Sequence, residues 1–335
     1  MALGAAGAAA LAAGALTAVL AVSGAPLARP AASASASSRT VAPRPRPAER
    51  PPVGTPGRYV VAQTVLALVD RSRVGLGPRA LPTVVRYPVI PPAGGGSRAL
   101  ARGLFPLVVF APGYLQCEGS YSALLGSWAS AGYVVAAVDF PRTSCHASDP
   151  DEDDLSNQPA DLTAVIRGVL AVSGAPRGPL AGLVNPAEIG VAGHSDGGDT
   201  VAAVAAGSCC ADPAVRAAIV LAGAEWPPLG GAYFARPSPP VLFVQGDADT
   251  VNVPQDSIAM YEADRAGPRF YLDLLGAGHI PPYAGGRPPE PVVARVTLQF
   301  LNRYLDGQAG AGAAMARAGN LTGIAALVSG GRLPP

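Results

Sequence analysis

Short apolar runs rich in valine and alanine alternate, through the middle of the chain, with segments of helical period. The runs at Tyr59–Val69, Thr83–Val89, Leu107–Phe110, Tyr133–Val138, Ile189–Ala192, Ala218–Leu221, Val241–Gln245 and Phe270–Leu274 predict strands. Apolar positions three and four apart predict helices at Ser120–Ala131, Pro159–Val172, Gly197–Ala206, Pro254–Asp264 and Pro291–Leu305. No helical pattern joins the first two strands, so they can pair antiparallel. The others alternate with helices as βα units, which predicts a mostly parallel eight-stranded sheet flanked by helices. In such a sheet the functional loops gather at the carboxyl ends of the parallel strands. After Asp306 the period weakens, and Leu321–Val328 is apolar enough for one short helix.

The amino terminus follows a different pattern. Ala2–Ala25 is continuously small and apolar, and Ala32-Ser33-Ala34 and Ala34-Ser35-Ala36 fit a small-x-small cleavage site. Residues 1–36 therefore read as a signal peptide and the protein as secreted. No arginine precedes Arg29, so an uncleaved membrane anchor stays open. Residues 37–56 read as a Pro/Ser/Ala/Arg-rich linker, 57–306 as the main domain and 307–335 as an Ala/Gly-rich tail.

Composition narrows the function classes. The 335 residues carry 24 Lys+Arg, all arginine, against 23 Asp+Glu, a net charge of +1 that gives no support to a nucleic-acid partner. The absence of lysine beside abundant alanine, glycine and proline reads as genomic composition rather than function. Four cysteines suit an oxidising compartment. Cys117 and Cys145 each follow a predicted parallel strand at the same end of the sheet and are the expected disulfide. Cys209 and Cys210 can form a vicinal disulfide, stay as thiols or pair elsewhere. The acidic run Asp149–Asp154 is dense enough to invite Ca²⁺ but lacks the spaced ligands and central glycine of an EF-hand. It reads better as a solvated loop capping the next helix. No metal and no cofactor are expected.

The candidate chemistry centres on Gly193-His194-Ser195-Asp196-Gly197. It sits between a predicted strand and a predicted helix, the context that a nucleophile elbow requires. A serine hydroxyl needs a base and a group that orients the base. The chain has three histidines. His194 is inside the elbow and should point away from Ser195, and His146 lies upstream in a loop. His279 follows the last predicted strand. Between Ser195 and His279 a buried-type strand ends at Gly246-Asp247-Ala248-Asp249, giving the order Ser, Asp, His.

Residues from about Tyr59 to Asp306 resemble the α/β-hydrolase superfamily, which implies the α/β-hydrolase fold. Within it they resemble lid-less serine esterases: dienelactone-hydrolase-like, chlorophyllase-like and platelet-activating-factor-acetylhydrolase-like proteins, and cutinase-like bacterial polyester hydrolases. The resemblance is carried by Arg79-x-Leu81-Pro82-x-x-Val85-x-Tyr87-Pro88, Val108–Tyr114, Gly132–Asp139, the elbow, Gly246-x-x-Asp249 and Gly278-His279.

The resemblance implies catalysis by Ser195, His279 and Asp249. Asp249 is preferred to Asp247 because the pattern places the acid three residues after the strand-ending glycine. It also implies an oxyanion hole from the backbone N–H groups of Asp196 and Tyr114, with Tyr114 and Trp226 lining the substrate cleft. A simple packing role for either aromatic stays open. The connection from Glu225 to Pro239 is too short for a large cap domain. The implied activity is hydrolysis of carboxylic esters through an acyl-enzyme, with an ester substrate, no obligatory protein partner and a monomer. Polyesters, small-molecule esters and lipid esters all remain open as substrates. So do a peptidase or acyltransferase using the same triad, and a non-catalytic surface-binding protein on this fold.

Overall fold

The computed structural model describes residues 53–73, 75–90, 99–101, 103–235, 237–284 and 288–330. The signal-peptide reading of residues 1–36 and most of the linker reading lie outside them. Among the described residues no helix is long and apolar enough to cross a membrane.

The eight predicted strands all form, most of them a few residues longer than expected: β1 (Val60–Asp70), β2 (Arg79–Ile90), β4 (Phe105–Ala111), β5 (Val134–Val138), β6 (Val184–His194), β7 (Val215–Leu221), β8 (Val241–Gly246) and β9 (Arg269–Leu274). Two more join them, the two-residue β3 (Ala99–Leu100) and β10 (Ala325–Ser329). The sheet runs β1-β2-β5-β4-β6-β7-β8-β9-β10, with β3 on β2. Pairing is antiparallel at the β1–β2 and β9–β10 edges and between β2 and β5, and parallel from β5 across to β9. Every residue of β4, β5 and β8 is buried. This is why those strands read as unbroken apolar runs rather than alternating ones: helices cover both faces of a parallel sheet.

The helices are α1 (Ser122–Ser130), α2 (Gln158–Gly174), α3 (Asp196–Ala206), α4 (Pro254–Ala263), α5 (Glu290–Tyr304) and α6 (Ala311–Gly319). Helix α1 packs on α5, and α2 on α3. The expected short helix over Leu321–Val328 does not form. After α6 the chain turns through Gly323, which has positive φ, and Ala325–Ser329 pairs antiparallel with Ser329 opposite Phe270 and Ala325 opposite Leu274. The open edge of β9 supplies hydrogen-bond partners that the weak local helical preference of this segment cannot match.

The acidic run is likewise only partly the solvated loop expected. Asp151 caps a 3₁₀ helix over Glu152–Asn157, whereas Asp154 turns inward. There it meets Arg79 of β2, whose guanidinium is shared between Asp154 (Nη2–Oδ2 2.7 Å) and Asp161 of α2 (Nη2–Oδ2 2.6 Å). Arg73 also pairs with Asp161. Both carboxylates are buried, so removing Arg79 leaves Asp154 without a cation and Asp161 with Arg73 alone. Arg79→Met is expected to destabilise the protein by about 3–5 kcal/mol, read as a lower urea midpoint with an unchanged slope.

Candidate active site

Four of the parallel strands end in loops that converge on one point. Strand β6 delivers Ser195 at the start of α3, with φ 54° and ψ −126°. A non-glycine residue held there stores about 1–3 kcal/mol of strain, so its neighbours must fix it. They do so by close approach. A Cβ on Gly193 would fall on the carbonyl of Gly197, and one on Gly197 would fall on the carbonyl of Ala111 at the end of β4. The N–H of Ser195 donates to Leu221 O (3.0 Å) and its carbonyl accepts from Asp199 (3.0 Å). The turn is thereby wedged against the ends of β4 and β7.

His279, in the loop after β9, places Nε2 2.9 Å from Ser195 Oγ and Nδ1 2.8 Å from Asp249 Oδ2. Asp249 is buried and fully engaged. Oδ2 also accepts from Gln245 Nε2 (3.1 Å), and Oδ1 accepts from the N–H of Val251 (2.9 Å). Gln245 is held in turn by Ser257 Oγ on α4 (2.7 Å). Asp247 is exposed, and its Oδ1 accepts from the N–H of Gly276 (2.6 Å), a turn-capping contact. Structure therefore brings Ser195, His279 and Asp249 together and leaves Asp247 outside.

The loop after β4 lies against the elbow. A Cβ on Gly113 would be 3.0 Å from Ser195 Cβ, so the chain entering the half-buried Tyr114 runs along the serine. This loop is braced on the segment after β5. Leu115 N–H donates to Thr143 O (2.7 Å), Gln116 bridges Ser144, and Cys117 is disulfide-bonded to Cys145. Cys209 and Cys210 form a second, vicinal disulfide. His146 lies beside the first disulfide, with Nδ1 3.2 Å from Asp139 Oδ2. Cys117, Cys145 and His146 are the group of close potential metal ligands among the described residues, and both sulfurs are consumed by the disulfide.

Trp226 is half-buried after β7 and donates its indole N–H to Ser156 Oγ (3.2 Å) on the 3₁₀ helix that carries Glu152. Among the described residues the connection from β7 to β8 contains one short 3₁₀ turn, Pro227–Leu229, and no helical cap.

Several site residues were not singled out in the sequence. Gln245 had a signal, a polar residue closing an all-apolar strand. The side chains of Asp196 and Asp199 had none, because only the fold buries them. Burial, with a smaller contribution from the charge of Glu152, raises the carboxyl of Asp196 to about 7. Burial also drives Asp199 well above the usual carboxylate range, against a backbone N–H from Ala224.

A family model described as PET hydrolase-like matches residues 96–314. The chain belongs to the PET hydrolase-like family. It is also 26% identical over 268 residues to the bis(hydroxyethyl) terephthalate hydrolase of Streptomyces coelicolor, covering 78% of this chain and 72% of that relative. The protein is thus a carboxylic-ester hydrolase with an α/β-hydrolase fold, and the elbow, Asp249 and His279 all fall within the matched span.

The raised Asp196 carboxyl has a stability consequence. Folded protein binds this proton more tightly than unfolded chain, so stability falls as pH rises from about 4 to about 7 and the loss is complete above that. Asp196→Asn removes the effect. Urea unfolding of both proteins from pH 4 to 8 is expected to show the variant gaining on wild type by about 1–4 kcal/mol up to pH 7, with a constant gap beyond.

Proposed function

We propose that this protein hydrolyses terephthalate-type esters with Ser195 as nucleophile, His279 as general base and acid, and Asp249 as the residue orienting it. The reading is carried by one observation: the Ser195 Oγ–His279 Nε2 and His279 Nδ1–Asp249 Oδ2 contacts, 2.9 and 2.8 Å, at a strained elbow in a PET hydrolase-like chain. Ser195 Oγ attacks the acyl carbon while its proton passes to His279 Nε2. The tetrahedral oxyanion is received by the N–H groups of Asp196 and Tyr114. Collapse expels the alkoxide, which takes the proton from His279. Water then repeats the sequence on the acyl-enzyme and releases the acid.

Asp249 suits its role because Nδ1–H bonded to a carboxylate leaves Nε2 free to accept. The uncapped β7–β8 connection and the half-buried rings of Tyr114 and Trp226 support a flat aromatic acyl group in an open cleft. The relative acts, by its name, on bis(hydroxyethyl) terephthalate. That diester is the first substrate to test, and the polymer the second. Export by the amino-terminal segment accords with a substrate too large to enter a cell.

Wild type is expected to release the monoester from bis(hydroxyethyl) terephthalate, and soluble aromatic products from a polyethylene terephthalate film, both followed by chromatography. Ser195→Ala should lose on the order of 10⁶ in kcat. Asp249→Asn should lose about 10⁴, while Asp247→Asn stays within about tenfold because its contact caps a turn. Equal, severe losses at both aspartates would refute the assignment of the acid, and an unhydrolysed diester that of the substrate class.

A further inference from the structure

His194 has no part in the steps above, yet it is completely buried beside them and every polar atom of its ring is engaged. Nε2 lies 2.9 Å from the carbonyl oxygen of His279, and Nδ1 lies 2.9 Å from Tyr121 Oη. A carbonyl can only accept, so Nε2 carries the proton. Burial pushes the imidazole down to about 3, so it is neutral and Nδ1 is the bare acceptor. Tyr121 therefore donates to Nδ1, and its oxygen in turn accepts the N–H of Gly113 (3.2 Å). The direction of every bond is then fixed: Gly113 N–H to Tyr121 O, Tyr121 O–H to His194 Nδ1, His194 Nε2–H to His279 O.

The two ends of this chain are the peptides next to the reacting groups. Gly113 immediately precedes Tyr114, and the carbonyl belongs to His279 itself. The middle of the chain is the residue before Ser195. The His194 ring also packs against the rings of His279 and Tyr283, with centroids 4.8 Å away in both cases. Tyr283 is anchored by its hydroxyl to Val244 O (3.0 Å) on β8. An apolar side chain of similar size could fill the same space. It would leave the O–H proton of Tyr121 without an acceptor and take from the carbonyl of His279 the donor it now has, and such groups rotate toward water when they can.

We infer that His194 is a positioning residue that ties the oxyanion loop at Gly113 to the base loop at His279, keeping both in register with Ser195. This inference rests on the triad reading. It predicts that Tyr121 and His194 act through one another. Gln at 194 can place an amide N–H near the Nε2 position and keep the bond to His279. Asn can place an acceptor near Nδ1 and keep the bond from Tyr121.

The experiment compares, on a soluble p-nitrophenyl ester, wild type, Ser195→Ala, Tyr121→Phe, His194→Leu, His194→Gln, His194→Asn, and Tyr121→Phe combined with each amide variant. Thermal melting of every variant reports the fold. Tyr121→Phe is expected to lower kcat about tenfold or more, with KM within about threefold and cooperative melting retained. His194→Leu should lose the most, and each amide should recover part of that loss. Tyr121→Phe should cost its full tenfold in the Asn background but less than about threefold in the Gln background, where its partner is already gone.

An equal cost in both backgrounds, unchanged kcat in folded variants, or a loss confined to KM overturns the positioning role. If wild type shows no turnover that Ser195→Ala removes, the triad reading fails and the inference with it. Serine-dependent turnover with indifferent variants sinks the inference alone.

Discussion

The active centre depends on the absence of side chains at Gly193 and Gly197. Strand β6 must end, reverse its backbone through the positive φ of Ser195, and begin α3 directly beneath the end of β4. There is no volume there for a methyl group, since a Cβ on Gly197 meets the Ala111 carbonyl and one on Gly193 meets the Gly197 peptide. Close packing is therefore what holds an unfavourable dihedral. The hydroxyl is presented at the helix start because the backbone beneath it cannot relax. Gly198 continues the wedge, 2.9 Å from its Cβ position to Gly223 Cα after β7. Three strand ends are thus fixed relative to the serine before any catalytic hydrogen bond is counted.

Around this wedge the interior is kept short of charge. Burial pushes the His194 imidazole down to about 3 and drives the Asp199 carboxyl well above the usual carboxylate range. Asp196, next to the nucleophile, is shifted to the edge of the neutral range. Asp249 differs in being fully engaged, its two oxygens met by His279, Gln245 and Val251. Those donors fix the Asp249 carboxylate against His279 Nδ1, which is the geometry that the proposed acyl transfer asks of the residue orienting the base.

How much of this was legible in the sequence follows a simple physical division. Strands of a parallel sheet announce themselves because both faces are buried, so β4, β5, β7 and β8 were found within a few residues. The elbow and His279 were legible because the strand–turn–helix context and chain order single them out, whereas Asp249 was preferred to Asp247 only on the pattern of the family that the chain resembles. What stayed hidden depends on tertiary geometry. β10 forms because β9 offers an open edge, which the composition of residues 325–329 does not reveal. Asp154 was read with its acidic neighbours as solvated, but Arg79, 75 positions away, draws it inside. His194 was expected to point away from Ser195. Its engagement with Tyr121 and His279 arises only in the fold, because a histidine inside an elbow has the same letter whether it fills space or ties two loops.

The loop after β4, which carries the proposed oxyanion donor, shows how separate constraints add at one position. At its start, Gly113 N–H is held by Tyr121. At its end, Cys117 is bonded to Cys145, closing a loop with a sequence separation of 28. A closure of that length restricts the unfolded chain by about 3–4 kcal/mol on the entropy model, independently of any contact in the folded site. Between the two ends Leu115 N–H pairs with Thr143 O, and Thr143 is itself held by Gln158 of α2, which receives Thr200 of α3. Tyr114 is the residue these ties enclose. An N–H that must meet a charge existing only in the transition state helps most when it needs no rearrangement to do so. Helices α2 and α3, a disulfide and a buried tyrosine all converge on that requirement, so the proposed donor is braced from several sides although no helical cap lies between β7 and β8 among the described residues.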